Sequence, residues 1–230
     1  MTRSRTLGLG AVVLLVALVV VLLVVRPGVR RPSTAPSPGT SATSATRVTS
    51  TGLVVDVRRL SVEDLTMMLP GQPFSCVGPL PTPPYGFAGY ESCSATVHED
   101  YDGEGGTWVA QVGVVLLDGR TGDPDHLGAS AGRAFRTLFH AFFSADDSPR
   151  LTQESAAPVA VHGTSGRAYR HQARVTVDRE DLDTTSDLLT VEAVRLRDGR
   201  VAAVWSDLPR DADGDLLRAA VVAQLSTTLG

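Results

Sequence analysis

Cys76 and Cys93 are the only thiols in a chain of 230 residues. Two cysteines are too few for a disulfide scaffold or a cysteine-based structural zinc site. In an oxidising compartment they would pair, and closing a loop of about 16 residues would constrain the unfolded chain by about 3 kcal/mol. The enclosed stretch runs Gly78-Pro79-Leu80-Pro81-Thr82-Pro83-Pro84-Tyr85-Gly86-Phe87 and is stiff, apolar and aromatic. Pro83, Pro84, Tyr85 and Phe87 are therefore candidates for a contact loop, against the alternative that Tyr85, Phe87 and Tyr90 tuck under a sheet as a satellite core. A second aromatic group, Phe135, Phe139, Phe142 and Phe143, sits on one short helical pattern. Phe142 and Phe143 cannot share a helix face, so one of them is expected to line a pocket or a contact surface.

Polar chemistry is sparser. The acids of His98-Glu99-Asp100-Tyr101-Asp102 and of Asp178-Arg179-Glu180-Asp181-Leu182-Asp183 lack the alternating ligands, central Gly and closing Glu of a calcium loop, so they read as solvated turns. The five His have no zinc spacing. Gly163-Thr164-Ser165-Gly166 falls short of a nucleophile elbow and joins strand to strand. Phosphate-cradling glycine loops are absent from the domain. No catalytic residue, metal ligand or cofactor is expected, and the chain reads as a non-enzyme.

These residues need elements to hold them. Residues 53–57 read as a short strand, and Ser61 reads as the cap of a brief helix through Leu69, with Glu63 and Asp64 in its first turn. Residues 90–97 and 108–117 read as strands joined by a Gly-rich turn, and 127–143 as an amphipathic helix. Period two returns over 159–161 and 168–177, and again over 188–196 and 201–206 around Asp198-Gly199. A closing helix from about Asp211 places Leu216, Leu217, Ala220, Val221 and Leu225 on one face. The expected fold is α+β, with a largely antiparallel sheet and helices packed on it.

Residues 7–25 are 19 consecutive Leu, Val, Gly and Ala, of which 15 are Leu or Val. As a helix they span about 28 Å, near the thickness of a bilayer's hydrocarbon core. The run is longer than a cleaved leader's apolar region and is followed at once by Arg26 and Pro27, so it reads as a transmembrane signal anchor. Residues 1–6 become a short cytoplasmic tail, 26–52 a Ser/Thr/Pro-rich linker, and 53–230 an extracytoplasmic domain. The whole chain carries net −4; the first 31 residues hold five of its 21 Arg and no acid, so the remainder is more acidic still. That balance argues against nucleic acid as a partner. Lys, Asn and Ile, the residues with AT-rich codons, are absent, which points to a GC-rich bacterial genome.

The strand over 108–117, the helix from Leu127, Val159-Ala160-Val161-His162-Gly163 leading to Tyr169, the Asp198-Gly199 hairpin with Trp205 before Pro209, and the closing helix resemble the PsbP-like α/β/α sandwich. More narrowly they resemble LpqN-type actinobacterial envelope lipoproteins, with a membrane helix replacing the lipidated Cys. The Cys76 and Cys93 loop is also similar to extracellular sensor domains of actinobacterial Ser/Thr kinases. The resemblance implies a PsbP-like scaffold with an accessory role and no shared catalytic set. The expected function is thus a single-pass, membrane-anchored accessory protein of the cell envelope that binds a protein partner. The rival reading is a carrier or sensor holding an apolar small molecule between sheet and helix.

Overall fold

The computed structural model describes residues 48–50, 53–55, 57–77, 80, 82–103, 105–144, 148–161, 167–178 and 186–230. Its strands are β1 (Val48–Ser50), β2 (Leu53–Val55), β3 (Val57–Val62), β4 (Leu65–Pro70), β5 (Ser75–Val77), β6 (Gly89–Glu99), β7 (Thr107–Leu116), β8 (Arg150–Ala160), β9 (Arg167–Thr176), β10 (Ser186–Arg195), β11 (Val201–Pro209) and β12 (Thr228–Leu229). The helices are α1 (Leu127–Phe142) and α2 (Gly214–Leu225), with one 3-10 turn at Pro84–Gly86. Seven strands form the main sheet in the order β5-β6-β7-β11-β10-β9-β8, and β12-β4-β3 form a second sheet. Every pairing is antiparallel.

The α+β expectation is corrected by this architecture. Among the described residues twelve strands stand against two α-helices, so the domain is predominantly antiparallel β. The largest departure is at 57–70, where β3 and β4 form a hairpin in place of the expected helix. Leu60, Val62, Leu65, Met67 and Leu69 are all buried, and Glu63 takes a left-handed φ of 53° to make the turn. Charge suited to a helix start was outweighed by this alternating apolar pattern. Among the described residues no helix is long and apolar enough to cross a membrane; the run 7–25 lies outside them, as does most of the expected linker.

Two cores lie on opposite faces of the main sheet. Along β11, Val201, Ala203 and Trp205 join the core under α1, while Ala202, Val204 and Leu208 join the core beneath the second sheet and α2. All nine β11 residues are buried, as befits a central strand covered on both faces. α2 departs from its expected face. Leu216, Ala219, Ala220 and Ala223 are buried, whereas Val221 and Leu225 are 47% and 68% exposed. Asp213 caps this helix by accepting from the Asp215 N–H at 2.7 Å.

Gly113 on β7 lies directly opposite Trp205. A Cβ there would come 2.7 Å from the Trp205 ring and 2.6 Å from the Glu91 carbonyl oxygen. Gly113→Ala is therefore expected to destabilise the domain by about 1–3 kcal/mol, seen as a lower urea midpoint with unchanged slope.

Candidate functional site

Cys76 and Cys93 are direct partners across the β5–β6 ladder and are joined by a disulfide of S–S 2.02 Å. The loop they tie down splits in character. Phe87 is buried, and Pro83 and Pro84 are half-buried beside the 3-10 turn. Tyr85 sits on that turn with φ 60° and stays 47% exposed. Its ring meets Phe142 edge-on at 6.1 Å and Tyr90 at 6.1 Å. The satellite-core alternative thus holds for Phe87 and Tyr90, while Tyr85 faces elsewhere.

Tyr85 faces a cavity of about 290 Å³ between the main sheet and the carboxyl end of α1. Phe142 and Phe143 both line it. Helical facing does not separate them, because Phe143 has left the helix with extended φ −112° and ψ 118°. Phe135 is fully buried against Ala131, Leu138 and the His171 ring, so it is core. Phe139 is half-buried and stacks on Phe143 at 5.7 Å, behind the cavity rather than on its wall. Beneath Phe142 lies Trp205 at 5.1 Å, which in turn meets Tyr90 at 5.9 Å. Tyr85, Phe142, Trp205 and Tyr90 therefore close a ring of aromatic contacts. Across the cavity stand Tyr101 and Trp108, edge to face at 5.1 Å.

The hairpin turn between β6 and β7 positions Tyr101. Asp100 accepts from the Gly105 N–H at 2.6 Å, Asp102 accepts from the Gly106 N–H at 2.8 Å, and the Tyr101 N–H donates to the Gly106 carbonyl. The acids of this stretch serve the turn, which agrees with their reading as solvated turn residues. Residues 179–183 of the second acidic stretch, and Gly163 to Gly166, lie outside the described residues.

The floor of the cavity holds two acids that the motif analysis did not single out. Asp207 follows Trp205 by two residues on β11, and Asp187 precedes Leu189 by two on β10, so both occupy the phase that faces α1. Leu189 pairs with Asp207, which makes the two acids diagonal neighbours across one ladder. They are 2% and 4% exposed. The Trp108 indole N–H donates to both Asp187 oxygens, at 3.2 and 3.0 Å. Among the described residues Asp207 Oδ1 has no hydrogen-bond partner. Burial pushes the Asp187 carboxyl up to about 7, opposed by the Trp108 bond and reinforced by the charge of Asp211. Burial first, and then the charge of Asp187, push Asp207 well above the usual carboxylate range.

Two buried carboxyls held at high pKa, in a cavity with aromatic walls, differ from the buried Glu192, which is paired with Arg170. Such groups gather where a ligand supplies the missing partner. Each lay one residue outside the strands expected from periodicity, and each is a charged residue on a core-facing phase, which is the one signal the sequence carried. Among the described residues no cluster of three or more His, Cys, Asp or Glu could hold a metal ion.

The fold and this cavity define a predominantly antiparallel β domain with an acidic, aromatic-walled pocket under one helix end. Neither a protein-family model nor a curated protein matches the chain.

Proposed function

We propose that this chain is a membrane-anchored envelope protein whose extracytoplasmic domain carries or senses a small molecule in the pocket between the main sheet and α1. The observation that carries the reading is the cavity itself, walled by Tyr85, Tyr101, Trp108 and Phe142 over two buried carboxyls. Small-molecule sites are concave places where polar groups converge beside aromatic side chains. The Cys76–Cys93 disulfide is consistent with an oxidising compartment, and the apolar run 7–25 supports the anchor.

Native mass spectrometry of the full-length chain from its own membranes tests this. The expected result is a protein mass short by two hydrogens, with an additional small species that disappears in Ala141→Trp, where the new ring fills the cavity beside Phe142. A bare mass in the unaltered protein would overturn the carrier reading, and two free thiols would overturn the exported placement.

The partner-binding reading has a different surface in its favour. Leu188, Val221, Val222 and Leu225 are 40 to 68% exposed, and all but Val222 line a hollow of about 410 Å³ beside the Arg170–Glu192 ion pair. That strip is the feature an envelope protein partner would cover, and a bare mass would favour it.

A further inference from the structure

We infer that the ligand of this pocket is a small organic cation, an ammonium or guanidinium group on a compact apolar body, whose charge sits between Asp187 and Asp207 while the aromatic walls enclose the rest. The inference rests on the small-molecule reading and names its chemical class.

Three observations lead there. First, Asp207 is 4% exposed, lines the cavity, and leaves Oδ1 without a partner. A buried acceptor without a donor is costly, and a ligand donor would remove that cost. Second, among the described residues no Arg or His lines the cavity, so its described walls supply no counter-charge for either acid. A cationic ligand would supply one, and a buried charge pair gains most where water is excluded. Third, four aromatic residues, Tyr85, Tyr101, Trp108 and Phe142, line the same space. Ring faces attract organic cations, most strongly when the cation is desolvated.

The same walls disfavour the other cations. Calcium or magnesium would need six or more oxygen ligands, whereas here two carboxylates, the Gln111 amide, the Thr107 hydroxyl and two phenols share the lining with Trp108, Phe142 and Phe143, and among the described residues no group of three or more His, Cys, Asp or Glu is placed to hold a metal. An anion would face two acids. A neutral apolar molecule would leave Asp207 Oδ1 unsatisfied.

Both tryptophans of the chain report on the site, since Trp108 lines it and Trp205 lies under Phe142. Tryptophan emission of the full-length protein in non-ionic detergent can therefore be titrated with benzylammonium and with benzyl alcohol, its neutral counterpart. The expected result is a saturable change with benzylammonium, at least tenfold weaker binding of benzyl alcohol, and at least tenfold loss of benzylammonium affinity in Asp207→Asn. Asp207→Asn removes the group that can ionise against a bound cation while keeping its volume, and its melting curve shows whether it is folded. Equal binding of the two probes would overturn the cation class while leaving the small-molecule reading to the mass measurement. Saturable binding of calcium chloride with no response to benzylammonium would replace the organic cation by a metal and overturn the inference. No response to any probe would overturn it as well.

Discussion

Between about pH 4 and 7 the folded domain is expected to lose stability, on the order of a few kcal/mol, through the buried Asp187 and Asp207 pair. The folded Asp187 carboxyl holds its proton up to about 7, whereas the unfolded one releases it near 3.8. Below the unfolded value both states are protonated and the contribution is fully present. As pH rises, only the unfolded state gains by ionising, so stability falls until the folded pKa is passed and is level above it. Asp207 acts in the same direction. The surrounding groups that bear on the pair are Asp211, bonded to His98 at 2.7 Å, the Trp108 indole, and the phenols of Tyr85 and Tyr101. Asp118, Asp123 and Asp198 have lowered pKa values and oppose the trend, but they are surface groups and are identical in the variants. Asp187→Asn and Asp207→Asn should each flatten the difference curve and raise stability at pH 7, with urea midpoints at a series of pH values as the measurement. Asn at 187 still accepts from Trp108, so packing is kept. A variant no more stable than the natural chain at pH 7 would show that the pair carries no buried strain. Stability surrendered at a pocket is the usual mark of a residue kept for binding.

The second large effect is on Trp205. Its side chain is fully buried, it packs under Phe142, and among the described residues its indole N–H has no partner. Trp205→Ala should cost about 3–5 kcal/mol, because the ring's contacts are lost and Gly113 opposite offers no side chain to fill the space. Trp205→Phe should cost much less, since it keeps an aromatic ring under Phe142 and removes the unpaired donor. Denaturant midpoints for the two variants check both statements, and equal losses would mean that the indole nitrogen matters after all.

Much of this domain was legible as periodicity. The β6–β7 and β10–β11 hairpins, α1 and the closing helix all follow from alternation, helical spacing and Asp198-Gly199, whose glycine takes φ 87°. The pairing of Cys76 with Cys93 was expected only for an oxidising compartment, and the structure joins them. Less was legible where two signals competed. At 57–70 the acids Glu63 and Asp64 suggested a helix start, yet they occupy the tip of a hairpin whose apolar residues bury against the main sheet. The second layer is a sheet for that reason, and the fold is β-rich where α+β was expected.

The amino-acid sequence by itself determined the strands of the β6–β7 and β10–β11 hairpins, which two residues could form a disulfide, and that residues 7–25 are apolar throughout. It also held the aromatic residues of Tyr85's loop and of α1, without saying that the two groups meet. Only the tertiary structure decided that they close over one cavity, because a contact between Tyr85 and Phe142 depends on where a loop and a helix end arrive after the sheet is assembled. The same holds for Asp187 and Asp207. Twenty positions apart, each is an ordinary polar residue at a strand end until β10–β11 register and the burial supplied by α1 make them a pair. Charge is local in sequence, but desolvation belongs to the packed fold, and desolvation is what turns two aspartates into a site.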